Sequence, residues 1–233
     1  MGVRWMVVVL SVFPLSQAQS LSSCVLPAAI ARPKMVRQDC VNKASPTHYV
    51  LSLTWSPRFC ATSIGTDADT RFQCVQNRFG FAVHGLWAQS RGARDKCDQP
   101  RNCAIGLVSD SLVKTHLCTM PGVQLIQSQW QKHGTCSGLS QPQWFSVIDS
   151  LWEGLSLPDP RKMAGAGGTI SVKALRDSVA RRNGARGMVS GGVMVGAHDG
   201  HLEELRLCYD TSFKPAACPL GTGISTGRVR VAR

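Results

Sequence analysis

Residues 78–87 read RFGFAVHGLW, and their alternation predicts a strand. Phe79, Phe81 and Val83 point one way, while Gly80, Ala82 and His84 point the other. The second face is small except for His84, so its imidazole is presented to open space rather than walled in, as suits a residue that meets a ligand. Trp87 closes the run and Gln89 follows it. A second stretch, QSQWQKHGTCSGLS (127–140), reads as a helix over 128–136. Gln129, Lys132, His133 and Cys136 then fall at i, i+3, i+4 and i+7 on one face, and Ser128 joins Lys132 at i+4. Trp130 falls on another face, where it can anchor the helix in the core. A cation and an imidazole are thus presented together among neutral hydrogen-bonding groups, with no acid beside them.

Before the first stretch, Tyr49, Leu51, Leu53 and Trp55 alternate with Ser52, Thr54 and Ser56, a strand with one buried face that Pro57 ends. Residues 19–46 read as irregular and hold Cys24 and Cys40; residues 85–104 are a Gly/Arg/Asp/Pro-rich loop with Cys97 and Cys103. Helical patterning returns near 106–118 and 125–136. Trp144, Phe145, Ile148, Leu151 and Trp152 then form a helical stripe suited to the core. AGAGG (164–168) is a flexible break, and 171–183 is a short helix capped by Ser171 and stopped at Gly184. Strand-like runs follow at 188–196 and 202–209, and the Gly/Thr/Arg-rich tail from about 219 is expected to be loosely ordered. Strands that do not strictly alternate with helices predict an α+β fold.

The chain has 233 residues, enough for one domain, expected over 19–233, with a real core. Residues 1–18, MGVRWMVVVLSVFPLSQA, read as a secretory signal: Arg4, a mostly apolar stretch too short to span a bilayer, then Ser16-Gln17-Ala18 as a cleavage site. The mature protein is therefore expected to be secreted or periplasmic, with no membrane association. The ten cysteines, an even number with no Cys-x-x-Cys pair, read as a disulfide framework rather than a zinc site. A net charge of +12 suits a polyanionic partner, although solubility alone also explains it. Nothing signals oligomerisation, and a monomer is expected.

Two histidines from distant segments and a lysine suit the self-cleavage chemistry of RNA. A base removes the 2′-hydroxyl proton, that oxygen attacks the neighbouring phosphorus, and an acid protonates the departing 5′-oxygen. A cation offsets the charge that builds on phosphorus-bound oxygens. Imidazole can serve as acid or base near neutrality. The chemistry needs no metal and no cofactor, and none is expected.

AVHGLWAQ (82–89) and WQKHGTCSGL (130–139) closely resemble the two active-site segments of the ribonuclease T2 family, endoribonucleases of broad base preference. YVLSLTWSPRFC (49–60) resembles that family's first core strand and LEELRLCYD (202–210) a late strand, so the likeness spans about residues 48–218. The resemblance implies a central, mainly antiparallel sheet flanked by helices and stabilised by disulfides. It implies His84 as general acid, His133 as general base, Lys132 as transition-state stabiliser and Trp87 as a base-stacking residue, with Gln89 near it; a core role for Trp87 is the plainer alternative. Where the family has His-Glu-Trp, this chain has Ser128-Gln129-Trp130. Ser128 keeps one hydrogen-bond donor without charge, and Gln129 cannot take a proton. The resemblance further implies Cys97–Cys136, Cys60–Cys74 and Cys208–Cys218 bridges, leaving Cys24–Cys40 and Cys103–Cys118.

Other motifs carry less. His198 and His201 read as a solvated hairpin turn rather than a metal pair, and His116 as a surface residue. GISTG (223–227) has the form of a hydrolase elbow, but no His or Asp follows Ser225. No Asn-x-Ser/Thr sequon is present, which leans towards a bacterial-type member. The expected function is metal-independent endonucleolytic cleavage of single-stranded RNA through a 2′,3′-cyclic phosphate. The rival expectation is a weakened or inactive relative that binds RNA or another polyanion.

Overall fold

The alternating run around Tyr49 is a central strand rather than a one-faced one. β1 (His48–Trp55) is hydrogen-bonded on both edges, and Ser52 as well as Leu51 and Leu53 is fully buried. The structure is a computed structural model that describes residues 24–63, 65, 67–219, 223 and 226–232; the expected signal segment 1–18 lies outside the described residues. After β1, Pro57 does not break the chain but opens helix α1 (Ser56–Thr62) from its first turn, where its missing N–H costs nothing. Then come α2 (Ala68–Arg71), a π-helical turn (Phe72–Gln76), β2 (Phe81–Gln89), α3 (Asp110–His116), α4 (Val123–Lys132) and α5 (Gln141–Glu153). The chain ends with α6 (Pro160–Met163), β3 (Thr169–Ser171), α7 (Val172–Arg182), β4 (Val193–His198), β5 (His201–Tyr209) and β6 (Arg228–Arg230).

The sheet runs β2-β1-β5-β6-β3, with β4 also paired to β5, and every pairing is antiparallel except the short β5–β6 contact. The fold is α+β, a mainly antiparallel sheet flanked by helices. β4 and β5 turn through Asp199 and Gly200, both at positive φ, the two-residue hairpin expected around HDGH. The described part of the tail is not loose: β6 pairs with β3 and buries Val229, because an apolar residue between two arginines can face the core while they face water.

One hydrophobic core runs through the sheet and helices. From α5, Trp144, Phe145 and Ile148 are fully buried, each contributing about 1.5–3 kcal/mol by leaving water. His116 belongs here too. It is buried, stacked on Phe145 and 3.2 Å from Asp149 Oδ1, because the apolar face of α3 turns it inward against α5.

Five disulfides are present: Cys24–Cys118, Cys40–Cys97, Cys60–Cys74, Cys103–Cys136 and Cys208–Cys218. The expected Cys97–Cys136, Cys24–Cys40 and Cys103–Cys118 pairs are therefore corrected, and the backbone shows why. Asn102 N–H donates to Lys132 O at 3.0 Å, which sets Cys103 against Cys136. Residues 24–46 run as a strap over the molecule, and Asn42 exchanges backbone hydrogen bonds with Arg101 and donates from Nδ2 to the carbonyls of Cys97 and Asp98. Those contacts hold Cys40 beside Cys97. The strap also carries Cys24 away from Cys40, since Val25 is fastened to Asn77.

Candidate active site

His84 owes its position to a bulge. In the β1–β2 ladder Ser52 faces Gly85 and Leu53 faces Val83, so His84 is an extra residue with no partner across the strand pair. Residues three apart on a regular strand point to opposite faces. The extra residue shifts that parity and lets His84 and Trp87 reach the same cleft, their rings 5.4 Å apart and edge-on.

His133 comes from the other wall. α4 ends at Lys132, one residue before the expected helix face would include His133. His133 is the C-cap at φ −124°, and a 3₁₀ turn over Gly134–Cys136 follows. Lys132 therefore sits in the last turn, where the helix dipole favours a cation. Two glycines make the close approach of these elements possible. A β-carbon at Gly85 would strike the Gln129 amide, and one at Gly134 would strike the Trp130 indole. Trp130 is itself buried in the core, as its side of the helix predicts.

The two segments meet in a cleft of about 460 Å³ lined by His84, Trp87, Gln89, Gln129, Lys132 and His133, with the loop after β2 forming its outer wall. Trp87 is the hub. Its Nε1–H donates to Gln129 Oε1 at 2.8 Å, its ring lies against His133 at 5.7 Å and 29°, and the Arg206 guanidinium stands 5.3 Å from it. Ser128 departs from expectation. It does not line the cleft, and its hydroxyl turns back to donate to Leu125 O at 2.9 Å, an ordinary way for a helical serine to satisfy itself.

The electrostatics of the two imidazoles differ in their neighbours. Burial first, then the charges of Arg101, His84 and Lys132, push His133 down to about 3, against a smaller upward pull from Asp39. Its Nδ1 is buried without a hydrogen-bond partner among the described residues. Burial likewise lowers His84, but here the Glu204 carboxylate pulls upward while Arg206 and Lys132 pull down. Glu204 is held by Ser52 Oγ, which donates to Oε2 at 2.8 Å, and by Arg206 through Oε1. Burial and Arg101 also lower Lys132. From sequence, Glu204 and Arg206 stand out only as part of a late strand. Their alternate spacing on β5 was the available signal, since it sets both on one face of the sheet.

Among the described residues no group of three or more His, Cys, Asp and Glu side chains could hold a metal ion, and no helix is long and apolar enough to cross a membrane.

Comparison with known proteins gives a consistent result. The model of the ribonuclease T2 family matches residues 46–218. A probable ribonuclease of Haemophilus influenzae is 38% identical over 127 residues, which is 51% of this chain and 47% of that protein. A ribonuclease of Aeromonas hydrophila is 30% identical over 156 residues, 66% of this chain and 64% of that protein. The matched region thus spans between about half and two thirds of these relatives. A solved structure described as an RNase-related protein from Calystegia sepium shares the fold, with a TM-score of 0.60 at 19% identity over 80% of this chain and 97% of that one.

Proposed function

Since the chain belongs to the ribonuclease T2 family, we propose that its cleft cuts single-stranded RNA by transphosphorylation, leaving 2′,3′-cyclic phosphate ends. The observation that carries this reading is the convergence of His84 and His133, from a strand bulge and a helix end, on one cleft that Lys132 also lines. His133 takes the 2′-hydroxyl proton. A base must be unprotonated, and its surroundings keep it so down to acid pH. His84 gives a proton to the leaving 5′-oxygen, and Glu204 favours the charged form that this role needs. Lys132 offsets the growing charge on the phosphoryl oxygens. Gln129 fixes Trp87 through the 2.8 Å bond, and Trp87 positions both imidazoles. Stacking of an RNA base on Trp87 competes with those contacts. Ser128 takes no part.

The five disulfides support a protein that works in an oxidising compartment, secreted or periplasmic. The reading includes action there on RNA as a monomer. The test is incubation with single-stranded RNA in EDTA, followed by analysis of product ends. Cyclic phosphate termini are expected. RNA that is retarded in a gel but intact would replace this reading with that of a polyanion-binding relative, which the neutral Gln129 would then explain.

A further inference from the structure

The helpers that the resemblance places on α4 are neutral here, yet the cleft is rich in positive charge. Its outer wall, the loop after β2, contributes Arg94, Lys96 and Arg101. This loop is built rather than slack. It is tied by Cys40–Cys97 at one point and Cys103–Cys136 at another, and the Asn42–Arg101 backbone pair stitches it to the N-terminal strap.

Beneath it sits Asp39, which does not line the cleft. Arg101 forks onto that carboxylate, Nε to Oδ1 at 2.8 Å and Nη2 to Oδ2 at 2.9 Å, and Lys96 Nζ lies 2.9 Å from the same Oδ2. Two cations therefore share one negative charge, and the fork leaves the Nη1 donors of Arg101 for another acceptor. Lys132 adds a third cation, which Arg101 and Lys96 both press towards losing its proton. The acid on the lining, Asp95, turns its carboxylate onto the amides of Cys97 and Asp98 at 2.7 and 3.1 Å. Crowded cations with one carboxylate behind them are stabilised by an anion in front of them, most of all one with several oxygens that can take charge-assisted hydrogen bonds.

We propose that Lys96 and Arg101, held by Asp39, form a second phosphate subsite beside Lys132 that grips the phosphodiester next to the one being cut. The assignment rests on the ribonuclease reading of the cleft. It makes the protein a reader of chain length: an oligonucleotide fills the subsite and a dinucleotide does not. It also moves the phosphate-holding role from α4, where Ser128 has turned away, to a disulfide-tethered loop.

The test is binding, by titration calorimetry, of a thymidine dinucleotide and tetranucleotide, which lack the 2′-hydroxyl and are not cut. The wild-type protein is expected to bind the tetranucleotide more tightly. Lys96→Gln and Arg101→Gln are each expected to lose about tenfold on the tetranucleotide, with the salt dependence of log K shallower by about 0.7 per contact removed. Lys96→Arg restores both. The Lys96 side chain is 65% exposed, so Lys96→Gln tests the subsite without disturbing the fold. Equal tetranucleotide affinity and an unchanged salt slope in Lys96→Gln and Arg101→Gln would overturn the subsite. Expected binding with no cleavage of RNA by the wild type would overturn the ribonuclease reading and leave the anion site standing.

Discussion

His84 and His133 face one cleft but are held in opposite ways. His84 stands on a bulge of β2, the edge strand of the sheet, with a carboxylate, Glu204, two strands away and itself fixed by Ser52 and Arg206. His133 caps a helix among cations, with Asp39 as its distant and weaker counterweight and with Nδ1 unpartnered among the described residues. Burial depresses both, but the charges around them push in different directions. On the proposed mechanism the pair must act in different protonation states, and the largest charge effect is upward at His84, from Glu204, and downward at His133, from Arg101.

The sharpest way to break the comparison is to remove each imidazole in turn. His84→Ala and His133→Ala are each expected to lower the initial rate on RNA by about 10²–10⁴-fold. A variant that kept most of the activity would remove its residue from the mechanism. The next largest effect is on stability. Cys103→Ser with Cys136→Ser frees the loop from α4 and should lower the unfolding free energy by about 2–4 kcal/mol, read by denaturant titration. An unchanged midpoint would mean that the Asn102–Lys132 backbone bond, the Asn42–Arg101 pair and the Cys40–Cys97 bridge hold the loop without it.

The pH profile sharpens the contrast further. The base form of His133 is present above about 3, and the acid form of His84 is lost as pH rises through a value below that of ordinary histidine. The rate of the wild type should therefore peak at acid pH, and a peak above neutrality would mean that the cleft does not hold the two imidazoles below the ordinary histidine range. Gln129→Glu adds a carboxylate beside the helix end. It should raise the pKa of His133, move the acid limb upward, and raise turnover by about tenfold, while Trp87 keeps its acceptor. No movement of that limb would mean Gln129 does not sense His133. The smallest change belongs to Glu204→Gln, which removes the upward pull on His84 and should shift only the alkaline limb, to lower pH. If instead the acid limb moved, Glu204 would be acting on the wrong histidine.

Much of this was legible in the sequence because periodicity reports burial. The stripe of Trp144, Phe145 and Ile148, the Ser171 cap and the HDGH turn all appear where the pattern put them. The two histidine motifs were legible as well, from the small face around His84, the helical spacing of Gln129, Lys132 and His133, and the resemblance of both segments to the family's active-site stretches. What escaped depends on one residue or on distant chain. Alternation has no mark for a bulge, so the shared direction of His84 and Trp87 could not be read from their spacing. The Cys40–Cys97 pair depends on where the N-terminal strap crosses the loop, and Cys103–Cys136 on where the loop meets the end of α4, tertiary facts without a local signal. The Arg101–Asp39 fork is likewise a contact between residues 62 apart. Ser128 could point to the cleft or to its own helix, and only the Leu125 carbonyl decided it.

The two bridges that flank the cleft loop have a further meaning. The loop carrying Lys96 and Arg101 is fastened to the strap by one sulfur pair and to the end of α4 by another. In a thiol-rich interior both would be open, the outer wall of the cleft would lose its covalent anchors, and the grip on a polyanion would slacken. Cells are full of RNA in such interiors. On the proposed reading, reduction of the two bridges is expected to loosen the hold on an oligonucleotide before it touches either imidazole, so the cleft's outer wall would answer to the redox state of its surroundings.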